Sequence, residues 1–225
     1  LQENSAINLL MAVDEEGGTV TRISLYPQFR ARPFESPYDA YINGSWEKVQ
    51  SSEEEKAILL KDLGFNLNLA PVADVTVSPE DFIYDRSFST DPDLVAQFIE
   101  LSLAVSSEAD IGAVLKHFPG YGANSDTHVG IAYDDRTLEE LEGRDFIPFK
   151  VGIEADVDAI LVAHNVMTQI DSKVPATLSP AVIKLLRENL TYDGVIMTDD
   201  LIMDGLTQFA TAPEAAILAV EAGND

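Results

Sequence analysis

Five short apolar runs, Ile7–Val13, Leu67–Val72, Ile111–Leu115, Ala159–Ala163 and Gly194–Met197, recur along the 225 residues and leave few architectures open. Each is rich in Val, Ile and Leu and lacks the alternation of a strand with one wet face, so they read as parallel strands buried on both sides. Helical patterns lie between them. Ser52–Leu63 carries Ser52 and Glu55 in capping-box spacing, Pro92–Ala109 follows Asp91, and Leu138–Ala155 follows Thr137. Pro180–Asn189 follows Ser179, and Pro213–Ala222 ends at Gly223, a C-cap residue. The alternation predicts βαβ units with right-handed crossovers. Ser24–Gly44 and Val77–Thr90 read as irregular excursions. No interdomain linker is visible, so residues 1–225 read as a single α/β domain, and 46% hydrophobic content suffices for a sizeable core.

Polar chemistry follows every apolar run: Asp14-Glu15-Glu16-Gly17-Gly18, then Asp74, Lys116-His117, His164-Asn165 and Asp199-Asp200. In a barrel of parallel strands all of these arrive on one rim, where groups from different strands converge. In an open doubly wound sheet they would spread along an edge, with ligand only at the switch point. Five decorated strand ends therefore favour the barrel.

Composition removes several function classes. With 39 acidic and 14 basic residues the net charge is −25, which repels nucleic acid and anionic lipid. The acidic residues are scattered over helix faces and loops such as Glu53-Glu54-Glu55, where a solvated surface is the expected role. The chain has no cysteine, which excludes disulfides, thiolate metal sites and a thiol nucleophile. No apolar stretch approaches a membrane span, and LQENSAINLL does not read as a signal peptide. Cytoplasmic and secreted locations both stay open, since a targeting segment upstream of Leu1 is compatible with a chain that does not begin with Met.

All three histidines stand near strand ends. His117 and His128 share the stretch KHFPGYGANSDTHVG (Lys116–Gly130), and His164 closes AILVAHN. Such a distribution suggests a site. Asp126, two residues before His128, is close enough in a tight loop to fix the imidazole tautomer and raise its basicity; it equally suits an Asx turn that only stabilises backbone. Asp199-Asp200 suits either a catalytic carboxylate or a helix N-cap.

The blocks AVDEEGGTVTR (Ala12–Arg22), NLNLAPVADV (Asn66–Val75), YDRSF (Tyr84–Phe88), LKHFPGYG with DTH (Leu115–His128), LVAHN (Leu161–Asn165) and GVIMTDDLIMDGL (Gly194–Leu206) span nearly the whole chain. In this order they resemble the catalytic barrel of glycoside hydrolase family 3, and within it the bacterial β-N-acetylglucosaminidases. The resemblance implies a (β/α)₈ TIM-type barrel of which five strands are visible, with two further strands expected before Ile7 and the last opening at Ala222–Asp225. A native chain longer at both ends, or another source for those strands, is expected, because a barrel lacking strands exposes sheet edges.

The resemblance also assigns roles. Asp199 is implied as the nucleophile of a retaining mechanism that passes through a covalent glycosyl-enzyme. His128 with Asp126 is implied as the general acid/base, a loop dyad that distinguishes this subgroup from β-glucosidase-type members. Asp14, Arg86, Lys116 and His117 are implied to surround the sugar. Arg22 either reaches the site or holds the Gly17-Gly18 turn, and His164 either joins the site or is a packed rim residue. Asn68, Asp74 and Asp85 are expected to support loops, and Gly120 and Gly122 to shape the backbone that brings His128 inward. Many members read KHFPGHG where this chain has Tyr121, a difference expected to bear on the leaving group and not on activity itself.

The implied ligand is a terminal β-linked N-acetylglucosamine on a glycan or muropeptide, with no cofactor and no metal. Four alternatives stand beside it: a β-glucosidase-like specificity, phosphorolysis instead of hydrolysis, a metal-dependent barrel hydrolase gathering His117, His128, His164 and Asp199, and a non-catalytic sugar-binding fragment. The absence of an H-x-H pair and the lysine beside His117 count against the metal.

Overall fold

Where the apolar runs cross the molecule they pair side by side. The computed structural model describes residues 4–128 and 130–225; residues 1–3 of the segment weighed as a signal peptide lie outside that part. The strands are β1 (Ala12–Val13), β2 (Leu67–Asn68), β3 (Gly112–Phe118), β4 (Tyr133–Asp134), β5 (Ala159–Val162), β6 (Val166–Met167) and β7 (Val195–Thr198). Five form one parallel sheet in the order β1-β2-β3-β5-β7, and β4 pairs with β6 apart from it. The order never reverses along the chain, as in a barrel wall and unlike a doubly wound sheet.

The helices are α1 (Pro37–Asp62), α2 (Pro92–Glu108), α3 (Leu138–Gly143), α4 (Phe146–Glu154), α5 (Pro180–Lys184), α6 (Asp204–Thr207) and α7 (Ala212–Ala222). Several expected boundaries are corrected. The first helix starts at Pro37, inside the stretch read as irregular, because Ser36 caps Asp39 N at 3.1 Å and Pro37 supplies a first-turn residue that needs no N–H. It kinks at Gly44–Ser45, and Ser52 lies within it and opens nothing. Of the three glutamates read as surface, Glu53 is buried: it bonds Lys56 at 2.7 Å and Ser102 at 3.1 Å.

The expected helix Leu138–Ala155 is two helices broken at Arg144–Asp145. Continuation would require an N–H from Pro148 to the Arg144 carbonyl, and proline has none. The run Ile7–Val13 is strand only at Ala12–Val13, with Ile7 82% exposed, since β1 is the sheet's outer strand. Leu67–Val72 is continuous strand only at Leu67–Asn68 because Pro71 cannot donate to the ladder, and pairing resumes at a Val72–Lys116 bridge. The run from Ile111 goes further than expected, through Phe118.

Alternation along the strands separates two apolar layers. Ala113, Leu115, Ile160, Val162 and Ile196 face the helices, packing with Phe98, Ile99, Phe146 and Phe149. Gly152 lets α4 lie close on β3, since a Cβ there would meet Leu115 Cδ2 at 2.5 Å. Leu67, Val114, Ala159 and Leu161 face the other way, toward Leu69 and Met197, forming the barrel-interior layer beneath the rim.

Candidate active site

Lys116 follows Val114 in the inward-facing set of β3, so regular alternation would turn His117 toward the helices. The ladder prevents that. Lys116 pairs with Leu161 and Phe118 with Val162, leaving His117 unpaired in a bulge. A bulge re-aims the inserted side chain, and here both consecutive residues line one cleft.

That cleft has a volume of about 390 Å³ and is lined by eight of the nine residues expected at a site: Asp14, Arg22, Arg86, Lys116, His117, Asp126, His128 and Asp199. His164 is the exception. It is fully buried, its Nε2 stands 3.1 Å from the Asp200 carbonyl oxygen, and burial lowers its pKa. The structure therefore makes it a packed residue beneath the Asp199-Asp200 turn and not a lining group.

The cationic side is organised by a residue to which the sequence pattern assigned no role. Glu16, 5% exposed, receives Arg86 through Nε at 3.0 Å and Nη2 at 2.8 Å, and Lys116 Nζ at 2.7 Å. Burial disfavours its charged form, but the Lys116 charge and the Arg86 hydrogen bonds prevail and hold the carboxyl at about 2. Lys116 Nζ also donates to Asp14 at 2.7 Å, leaving Asp14 Oδ2 without a partner among the described residues and the residue part-exposed at the cleft. The signal for Glu16 was present in Asp14-Glu15-Glu16, yet only the fold shows which of three adjacent carboxylates meets the two cations.

Glu15 points elsewhere and is wholly structural. Its carboxylate accepts from the backbone N–H of Arg22 at 2.8 Å and Ile23 at 2.7 Å, and from the Ser24 hydroxyl. The Arg22 backbone is thereby fixed while its side chain lines the cleft; the Gly17-Gly18 turn is held instead by bonds to Val20 and Phe34 carbonyls. Asn68 supports the loop as expected from its position, exchanging bonds with Glu15 N at 3.0 Å and Glu15 O at 3.1 Å. Asp85 differs: it is exposed and lines the cleft.

Asp74 does more than hold a loop. Its Oδ2 lies 2.6 Å from His117 Nδ1 and its Oδ1 accepts from Tyr121 N at 2.6 Å. A proton on Nδ1 leaves His117 Nε2 as an acceptor, 3.1 Å from Arg86 Nη2. Gly120 and Gly122 have φ of 112° and 56°, and side chains there would collide with Asp145 and Arg136. Arg136 braces this turn by donating to Gly120 O at 2.7 Å, to Asp145 at 2.7 Å and to Asp134.

Asp126 Oδ1 lies 2.6 Å from His128 Nδ1 and accepts from His128 N at 2.8 Å, so one carboxylate makes both the Asx turn and the imidazole contact. The two readings of Asp-Thr-His coexist. The Asp199-Asp200 pair divides. Asp199 lines the cleft and accepts from Asp200 N at 2.8 Å, whereas Asp200 is exposed and its carboxylate accepts from Ile202 N at 3.1 Å. Burial raises the Asp199 pKa, but the neighbouring His117, the Asp200 N–H and the Lys116 charge outweigh it and keep the group below the usual carboxylate range. A part-buried, ionised carboxylate thus faces an exposed imidazole across a cleft ringed by Lys116, Arg86 and His117. Among the described residues no group of three or more His, Cys, Asp or Glu side chains is arranged to hold a metal ion.

A family model of the glycosyl hydrolase family 3 N-terminal domain matches residues 1–225. The chain belongs to this family. A Beta-hexosaminidase of Methylococcus capsulatus is 34% identical over 97% of this chain, which spans 65% of that relative's length. A family 3 β-N-acetylglucosaminidase from Paenibacillus sp. superposes with a TM-score of 0.89 at 32% identity, covering 97% of this chain and 42% of that one. A family 3 glycosyl hydrolase from Mycobacterium smegmatis also gives 0.89, at 31% identity over 100% of this chain and 71% of the other. The fold is thus the TIM-barrel type of the family 3 N-terminal domain, and the rim of decorated strand ends is its C-terminal face.

Proposed function

We propose that the protein is a retaining exo-β-N-acetylglucosaminidase, acting on terminal β-linked N-acetylglucosamine of a glycan or muropeptide. The observation that carries this reading is the 2.6 Å Asp126–His128 contact in the same cleft as the ionised Asp199. The names of its relatives, Beta-hexosaminidase and β-N-acetylglucosaminidase, support the substrate class.

In this mechanism Asp14, Arg86, Lys116 and His117 bind the sugar hydroxyls, and the Asp199 carboxylate attacks the anomeric carbon. His128 gives its Nε2 proton to the departing oxygen as the glycosidic bond breaks. Water then attacks the glycosyl-aspartate, His128 takes its proton, and the sugar leaves with Asp199 regenerated. Asp126 keeps the ring oriented and stabilises the imidazolium.

Release of nitrophenol from nitrophenyl β-N-acetylglucosaminide, with trapping of one sugar on Asp199 by mass spectrometry, tests the proposal. Equal turnover of the β-glucoside would move the reading to a β-glucosidase, a sugar phosphate product would make it a phosphorylase, and loss of activity to chelator with recovery on zinc would sink the glycosidase mechanism. For His128→Ala, general-acid loss is expected to cost on the order of 10²- to 10⁴-fold with poor leaving groups and far less with nitrophenol. Equal losses would rule out the acid role.

A further inference from the structure

The Asp126–His128 contact fixes the imidazole relative to its own loop, not relative to Asp199. Both side chains are accessible, 26% for Asp126 and 54% for His128. The residue between them is not: Thr127 is 1% exposed, as is Tyr121. Thr127 Oγ1 is hydrogen-bonded to the Tyr121 hydroxyl, and Thr127 N points at the same oxygen from 3.4 Å. From the other side Gly205 N donates to Thr127 O at 3.0 Å. Between Ser125 and His128, Thr127 alone is hydrogen-bonded to another segment among the described residues.

Each partner is itself anchored to a different part of the cleft. Tyr121 N donates to Asp74, whose other oxygen contacts His117 Nδ1, and its ring packs 5.3 Å from His117 and 5.5 Å from Phe82. Gly205 lies in α6, the short helix that follows the Asp199-Asp200 turn, and it approaches so closely that a Cβ would meet Thr127 O at 2.7 Å and Gly130 O at 2.8 Å. Burial pushes the Tyr121 pKa up to about 12, so its hydroxyl keeps its proton throughout the working range.

We infer that Thr127 is the positioning residue of the acid/base loop. Gripped by the Tyr121 hydroxyl and the Gly205 N–H, it sets the height of His128 above the sugar and so the range of leaving groups the enzyme can protonate. This rests on the glycosidase reading above. A loop pinned at one buried residue has little freedom where the proton must be delivered, and small errors of placement at that point are costly in rate.

The test uses the full chain with aryl β-N-acetylglucosaminides of graded leaving-group ability. Tyr121→Phe and Thr127→Val are each expected to lower kcat/KM for poor leaving groups about tenfold more than for nitrophenol, with the double variant no worse than either single one. Thr127→Ser, which keeps the hydroxyl, is expected to restore the wild-type dependence. A readout independent of turnover is carbethoxylation of His128, the exposed histidine, since His117 and His164 are 4% and 0% exposed. Its rate should rise severalfold in Tyr121→Phe and Thr127→Val and stay at the wild-type value in Thr127→Ser. Losses equal for all leaving groups, or unchanged His128 reactivity in both variants, overturn the inference. If the wild type turns over no β-N-acetylglucosaminide, the glycosidase reading falls, and His128 reactivity alone then decides whether Thr127 pins the loop.

Discussion

Asp199→Asn is expected to lower hydrolysis of β-N-acetylglucosaminides by on the order of 10⁴-fold or more, equivalent to roughly 5.5 kcal/mol of barrier. The amide is nearly isosteric, so the cleft should keep its shape and its affinity for the sugar. What it lacks is the negative charge that the neighbouring His117 and the Asp200 N–H favour on a part-buried carboxyl. Without it no glycosyl-enzyme forms, and the step needs a barrier near that of unassisted departure. Single-turnover kinetics with mass spectrometry provide the check: an unaltered rate, or a sugar trapped on a residue other than 199, would show that the nucleophile is elsewhere.

Glu16→Gln is the second large effect, expressed first in stability. The neutral amide leaves Arg86 and Lys116 buried together without their shared anion, and breaking a buried charge cluster in this way costs about 3–5 kcal/mol. The depressed pKa points to a similar size: a carboxyl moved from 4.5 to about 2 corresponds to roughly 3 kcal/mol. Because the folded-state pKa lies below the unfolded one, this stabilisation is complete above about 4.5 and is lost as pH falls toward 2. Glu16→Gln should therefore lower Tm by about 10 °C at neutral pH and show a smaller further loss between pH 4.5 and 2 than the wild type. Sugar affinity should fall with it, since Lys116 and Arg86 lose their common anchor. Calorimetry over that pH range decides the matter, and a Tm within a degree of wild type at neutral pH would contradict the assigned role.

Much of the site was legible because its chemistry sits at strand ends. Asp14, Lys116, His117 and Asp199 each follow an apolar run, and parallel strands in chain order carry such positions to one rim without further instruction. Arg86 and Asp126 sit in loops and were placed by motif alone, since periodicity says nothing of loop path. Residues whose function is to hold others were the least visible. Glu16 is indistinguishable from Glu15 by composition, and Glu53 reads as surface beside Glu54. Glu16 is buried against cations from remote segments, Arg86 and Lys116, while Glu53 pairs with Lys56 on its own helix and is covered by Ser102 from α2.

His164 shows the converse: a histidine at a strand end, with the pattern of a site residue, turns under the Asp199-Asp200 segment and is sealed from the cleft. The helix boundaries erred for local reasons that compete over a few residues, as at Ser36-Pro37 against Ser52-Glu55 and at Pro148 within an otherwise continuous helical pattern.

By itself the sequence determined the parallel α/β layout and the set of groups available at the rim, because both follow from hydrophobic period and from which residues succeed each strand. Tertiary structure decided which of those groups face the same space. The bulge at His117, the choice of Glu16 over Glu15, the division of Asp199 from Asp200 and the grip on Thr127 all depend on distances between segments remote in the chain. Such distances are set by packing, and no local pattern encodes them.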